Sequence, residues 1–117
     1  LAPVDAAVLP LIEDDERLAK KALELKELLV RSGFVVIYDD TGSIGKRYAR
    51  VDEIGVPAAF TVDYQTLEDG TVTMRDRDTW RQVRVKMEEA PEALRKFIYN
   101  LADLMELGEP VDRGGQG

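Results

Sequence analysis

The stretch "AAVLPLIEDDERLAKKALELKELLVRSGFVVIYDD", residues 6–40, changes its hydrophobic period twice within a short span. Residues 6–12 are almost wholly apolar and too few for an ordinary helix, so they read as a buried strand ending near Pro10. The acids at 13–16 suit the first turn of a helix, where carboxylates complement amide groups that have no partner. Leu18, Ala22, Leu25 and Leu29 follow at spacings of four, three and four, and Arg31 and Gly33 supply the closing signals. "FVVIYDD", residues 34–40, is a second strand. Strand, helix and strand in that order imply a parallel pair with a right-handed crossover, which is the unit of α/β folds.

Downstream, Ser43 is a good helix N-cap, and Ile44, Tyr48 and Val51 share one face. Gly55 can take a left-handed conformation and Pro57 bars continuation, so the pattern predicts a helix over 43–54. "AAFTVDY", residues 58–64, is a third strand, and Asp69-Gly70 is a turn into a fourth. Residues 71–87 read as two strands joined near Asp78-Thr79. Pro91 opens a last helix whose buried face is Leu94, Phe97, Ile98, Leu101 and Met105. The expected architecture is three-layered α/β, a mixed sheet of about five strands flanked by three helices, over a domain of residues 1–108. Residues 109–117 are expected to be a disordered tail.

A chain of 117 residues supports one core. No apolar run approaches the ~20 residues that cross a bilayer, so a soluble protein without membrane partners is expected. The sequence has no cysteine and no histidine, which removes disulfides, thiolate or imidazole metal sites, and catalysis built on either side chain. It starts at Leu1 without a signal-peptide pattern, as expected of a piece of a longer polypeptide. A net charge of −7 argues against gripping nucleic acid by bulk charge, yet residues 74–87 carry five bases against two acids. Charged residues make up 33% of the chain and Asn100 is its one asparagine, a bias found in heat-adapted proteins.

The glycines and lysine of "TGSIGK" invite a phosphate-loop reading, but Asp40 stands at the first glycine position of that pattern and Arg47 at its hydroxyl position. The dinucleotide pattern fails too, because Gly42 and Gly45 are three apart with no glycine two after the first. Asp39 and Asp40 at a strand end could hold magnesium or act as a base, or simply cap turns and pair with Lys46 and Arg47. Lys46, Arg47 and Arg50 point away from the Ile44, Tyr48, Val51 face, as either a phosphate-binding or a merely solvated surface would place them. A period of two sets Thr73, Arg75 and Arg77 on one side of the fourth strand, and Trp80, Gln82, Arg84 and Lys86 on one side of the fifth. If these strands pair, their cationic faces coincide. Forked guanidiniums, an amide and an aromatic plane are groups that recognise unpaired RNA bases, while Arg75 and Arg77 could equally pair with Asp63, Asp69 or neighbouring acids, and Trp80 could pack an edge of the core.

"GSIGKRYARVDEIG", "TVDYQTLEDGTVT" and "RDRDTWRQVRV" resemble the C-terminal anticodon-binding domain of glycyl-tRNA synthetases of the archaeal and eukaryotic type, and the resemblance extends over nearly the whole chain. It implies the class II anticodon-binding fold behind a catalytic domain, in an enzyme that joins glycine to tRNA(Gly) with ATP and magnesium. The domain itself would be non-catalytic and free of cofactor or metal. Arg75, Arg77, Gln82 and Arg84 would contact anticodon bases, and Lys46, Arg47 and Arg50 the phosphates. The resemblance further implies a cytoplasmic protein, a monomeric isolated domain and a homodimeric parent enzyme. Two alternatives stand beside it: an accessory or scaffold protein with a synthetase-type fold, and a flavodoxin-like module binding a small ligand or metal at Asp39 and Asp40.

Overall fold

A computed structural model describes residues 3–111. Strand β1 (Ala6–Pro10) pairs in parallel with β2 (Val36–Tyr38) on one side and β3 (Ala58–Val62) on the other. Strands β4 (Thr71–Asp76), β5 (Gln82–Lys86) and β6 (Glu109–Pro110) continue the sheet antiparallel, giving the order β2-β1-β3-β4-β5-β6. Helices α1 (Glu16–Arg31), α3 (Tyr64–Asp69) and α4 (Ala90–Ile98) lie on one face of the sheet, and α2 (Ile44–Glu53) on the other. The mixed α/β three-layer arrangement is the expected one.

Alternation within the strands divides the chain into two apolar clusters. Ala6, Val8, Phe60, Met74 and Val83 meet Leu18, Leu25 and Leu29 of α1 and Leu94 of α4 on the larger side. Ala7, Leu9 and Ala59 meet Val51 and Val56 on the smaller. Each fully buried leucine of α1 contributes about 1.5–3 kcal/mol, so the apolar stripe, more than helix propensity, holds α1 to the sheet. Asp15 caps that helix by accepting from the amides of Arg17 and Leu18 at 3.0 and 3.2 Å. The Leu18 amide bond is the main reason its carboxyl lies below the usual range.

Among the described residues the sheet has six strands where about five were expected, and it is flanked by four α-helices where three were expected. Strand β3 stops at Val62, and Asp63 opens α3 through a reciprocal capping box with Thr66. That helix is a little over one turn long and shows no full period, which is why its residues resemble strand and turn in the sequence. Helix α4 ends at Ile98, with Asn100 left-handed at φ 56°. Leu101 is consequently exposed, and the core position beyond it is filled by Leu104 on a short 3-10 helix, Leu104–Glu106. Strand β6 lies inside the expected tail: Glu109 and Pro110 pair with Arg84 and Val83. Gly108 permits this approach, because a Cβ there would overlap the Arg84 carbonyl oxygen. The rest of the expected tail, 112–117, lies outside the described residues.

Candidate nucleic-acid interface

The sheet face that carries α2 is covered unevenly. Over β1 and β3, α2 packs Val51, Ile44 and Tyr48 against small apolar residues. Over β4, α2 reaches Arg75 through Tyr48 and Asp52, and the outward positions of β4 and β5 are Thr73, Arg75, Gln82 and Arg84 in place of apolar side chains. The register sets Arg75 opposite Gln82 and Thr73 opposite Arg84, so the cationic faces of the two strands do coincide.

Arg75 fixes the boundary between the halves. Its Nη1 and Nη2 donate to the two carboxylate oxygens of Asp52 on α2 at 2.9 and 3.1 Å. The guanidinium carbon lies 4.4 Å from the Tyr48 ring centroid and 5.8 Å from that of Trp80. The residue is only 6% exposed, a floor beneath other groups. Burial pushes the Tyr48 phenol above its ordinary value, offset in part by its 2.7 Å hydrogen bond with the Thr61 hydroxyl and by the Arg75 charge. Arg84 grips Asp63 in the same forked manner, with Nη1 3.2 Å from one carboxylate oxygen and Nη2 on the other, and Nη1 also donates to Thr71. Asp63 thus caps α3 and orients Arg84 at once. Gln82 is buried. Arg77 is more open and pairs with Asp78.

The internal pairing weighed from the sequence is therefore present: Arg77 takes a neighbouring acid, Asp78, as weighed, whereas Arg75 takes Asp52 and it is Arg84 that takes Asp63. Asp52 lies four residues after Tyr48 and so on the same flank of α2, a spacing from which its reach to the sheet could have been read. Among the described residues Lys46, Arg81 and Lys86, like Lys20 and Arg31 of α1 and Lys96 of α4, are exposed cations without a carboxylate partner, and Arg81 was not among the expected site residues.

At the start of α2 the cations separate. Ser43 caps the helix by accepting from the Lys46 amide at 3.3 Å, and the Lys46 side chain is exposed. Arg47 does not point to solvent as expected but is fully buried. It falls three residues after Ile44 and four before Val51, on the inward face, where its Nε donates to the Gly42 carbonyl at 3.1 Å and its Nη1 to those of Pro10 and, at 3.2 Å, Asp39. Its Nη2 donates to the Leu11 carbonyl at 2.9 Å, so this guanidinium ties together the ends of β1 and β2 and is out of reach of a phosphate. Arg50 pairs with Asp39 at 2.8 Å and donates to the Thr41 carbonyl, while its side chain stays half exposed. Asp39 also accepts from the Thr41 amide at 2.9 Å, the turn-capping role. The Gly42 amide, where a phosphate loop would point at its ligand, donates to Glu13 at 2.7 Å.

Comparison with known proteins gives this surface a context. The model of the anticodon binding domain family matches residues 5–97. The chain is 65% identical over 111 residues to the glycine–tRNA ligase of Aeropyrum pernix, an alignment covering 95% of this chain and 19% of that protein. It is 54% identical over 99 residues to the glycine–tRNA ligase of Pyrococcus horikoshii, covering 85% of this chain and 17% of that one. The chain therefore spans about a fifth of the length of these relatives. Crystal structures of the prolyl-tRNA synthetase of Cryptosporidium parvum share its fold, one with L-proline and AMP (TM-score 0.73) and one with halofuginone and AMPPNP (TM-score 0.75). Each superposes over 90% of this chain and 23% of that one at 25% identity. With the family model matched over most of its length and the fold shared, the chain belongs to the anticodon-binding domain family of aminoacyl-tRNA synthetases.

Proposed function

We propose that the chain is the anticodon-gripping part of a glycine–tRNA ligase and that its ligand is the anticodon loop of tRNA(Gly). The observation that carries this reading is the half of the sheet over β4 and β5 on which polar and cationic side chains stand where a second helix would require apolar ones. Unpaired RNA bases are recognised on polar sheet surfaces and their rims, by planar groups that stack and by donors held in a fixed direction. Arg84 and Arg77 supply forked donors, oriented by Asp63 and Asp78, and Arg75 and Gln82 form a buried floor beside them. Lys46 and Arg50 take phosphates, and Arg47 ties the start of the helix that carries them to the ends of β1 and β2.

The parent enzyme would join glycine to its tRNA with ATP and magnesium in a class II catalytic domain, and this domain would contribute tRNA selection without chemistry or cofactor of its own. Among the described residues no helix is long and apolar enough to cross a membrane, which accords with a cytoplasmic enzyme. We place dimerisation in the catalytic part and expect this domain alone to be monomeric. The test is fluorescence anisotropy of labelled anticodon stem-loops bearing glycine and non-glycine anticodons. Tighter binding of the glycine stem-loop supports the reading, and equal affinity for all of them contradicts it in favour of a scaffold role.

A further inference from the structure

Trp80 is the one tryptophan of the chain and belongs to neither apolar cluster. It is 54% exposed, unusual for a residue whose large apolar surface normally packs away from water. It ends the loop between β4 and β5 at φ 62°, a conformation that suits glycine or asparagine and is an outlier for a bulky side chain. Its amide donates to the Asp76 carbonyl at 2.9 Å while the Asp76 amide donates to the Arg81 carbonyl at 3.0 Å, so the loop is closed on both strands and the indole is carried outward. The Arg75 guanidinium lies over the indole at 5.8 Å and over the Tyr48 ring at 4.4 Å, and Asp52 clamps it from α2. An aromatic ring is thus anchored to the sheet through a buried cation and left half open. Beside it, Arg81 is exposed and, among the described residues, without a carboxylate partner.

A rigid aromatic plane next to a free cation is the combination that holds single-stranded nucleic acid, the ring against a base and the cation against the adjoining phosphate. Resting on the RNA reading of this surface, we propose that Trp80 is a stacking platform for one unpaired nucleobase of the bound loop, with Arg81 on the neighbouring phosphate. Every base presents a π-face, so this contact adds affinity without selecting sequence, in contrast to the forked arginines.

Because Trp80 is the one tryptophan, intrinsic emission reports on this position directly. The 117-residue chain is titrated with anticodon stem-loops while binding is followed independently by anisotropy of an RNA label. The expected result is quenching that tracks the binding curve. Trp80→Ala weakens all stem-loops about 5- to 150-fold, the equivalent of ~1–3 kcal/mol per stacked base, while Trp80→Phe retains most of the affinity. Binding with unchanged emission and a fully active Trp80→Ala overturns the proposal and leaves the RNA reading intact. Equal losses in Trp80→Ala and Trp80→Phe overturn it by assigning Trp80 to turn geometry alone. If no stem-loop binds the wild-type chain, both readings fall.

Discussion

Two halves of one sheet face carry opposite chemistry. Under α2, the outward positions of β1 and β3 are Ala7, Leu9, Ala59 and Thr61, small or apolar residues that let the helix come close. One and two strands further on, the same face carries Thr73, Arg75, Gln82 and Arg84. Alternation would have supplied an apolar patch there had a helix been meant to cover it, since the opposite face of the same strands holds Val72, Met74, Val83 and Val85 in the core. The arginines of the two halves differ likewise. Arg47, beneath α2, has its nitrogens on four backbone carbonyls and serves the fold. Arg75 and Arg84 each meet one carboxylate in a fork, which fixes their planes and leaves some of a guanidinium's five N–H donors for other partners. A cation on this face thus serves the fold or, on the proposed reading, recognition, according to what it faces, and both kinds look alike as letters in a sequence.

The comparison breaks most visibly at Arg47. Arg47→Ala removes the donors from the carbonyls of Pro10, Leu11, Asp39 and Gly42, and chemical denaturation should show a loss of about 3–5 kcal/mol. A surface arginine changed in the same way moves stability by about 0.5 kcal/mol or less, so a small effect would return Arg47 to the solvent side. Arg75→Ala should cost about 2–3 kcal/mol, less than Arg47 because Asp52, left without its partner, stays in part reachable by water.

Arg84→Lys sharpens the recognitional side. It keeps the charge near Asp63 but loses the fork, so discrimination between glycine and other stem-loops should fall by about 1–3 kcal/mol, read by anisotropy, with little change for the poorer ligands. Tyr48→Phe removes the hydrogen bond with Thr61 and should lower stability by about 1 kcal/mol at neutral pH. The folded-state phenol titrates above its ordinary 10.0, so the unfolded chain loses the proton first and wild-type stability declines as pH rises beyond 10.0. The gap between wild type and Tyr48→Phe should therefore narrow with alkaline pH in paired thermal melts. Smallest in stability is Lys46→Ala, within about 0.5 kcal/mol, yet it should weaken every stem-loop alike and flatten the salt slope by ~0.7.

Much of this was legible in the sequence. The parallel start, the α1 stripe, the extent of α2 and the joint face of β4 and β5 follow from periods of 3.6 and 2 and from caps at Ser43, Gly55 and Pro57. Helix α3 was not, because a helix of six residues is too short to display a period and its capping box lies inside a strand-like run. Strand β6 was not, because two residues between a glycine and a hydrophilic end carry no pattern of their own and exist only against β5. The burial of Arg47 was hidden because charge alone suggests solvent, although its position between Ile44 and Val51 lies within the inward arc of the helix. The spacing of Asp52 from Tyr48 sets it on the sheet-facing flank of α2, but its pairing with Arg75 and that of Asp63 with Arg84 are long-range, and no local spacing encodes the partner.

The most direct measurement is an amide chemical-shift map of the chain titrated with the glycine anticodon stem-loop. The account predicts perturbations concentrated on β4, β5, the loop carrying Trp80 and Arg81, and the α2 turn around Lys46 and Arg50. Amides of α1 and α4 on the opposite face should hold their positions. Shifts centred on α1 and α4, or none at saturating RNA, would contradict the assignment of the polar half of the sheet and its rim as the RNA surface.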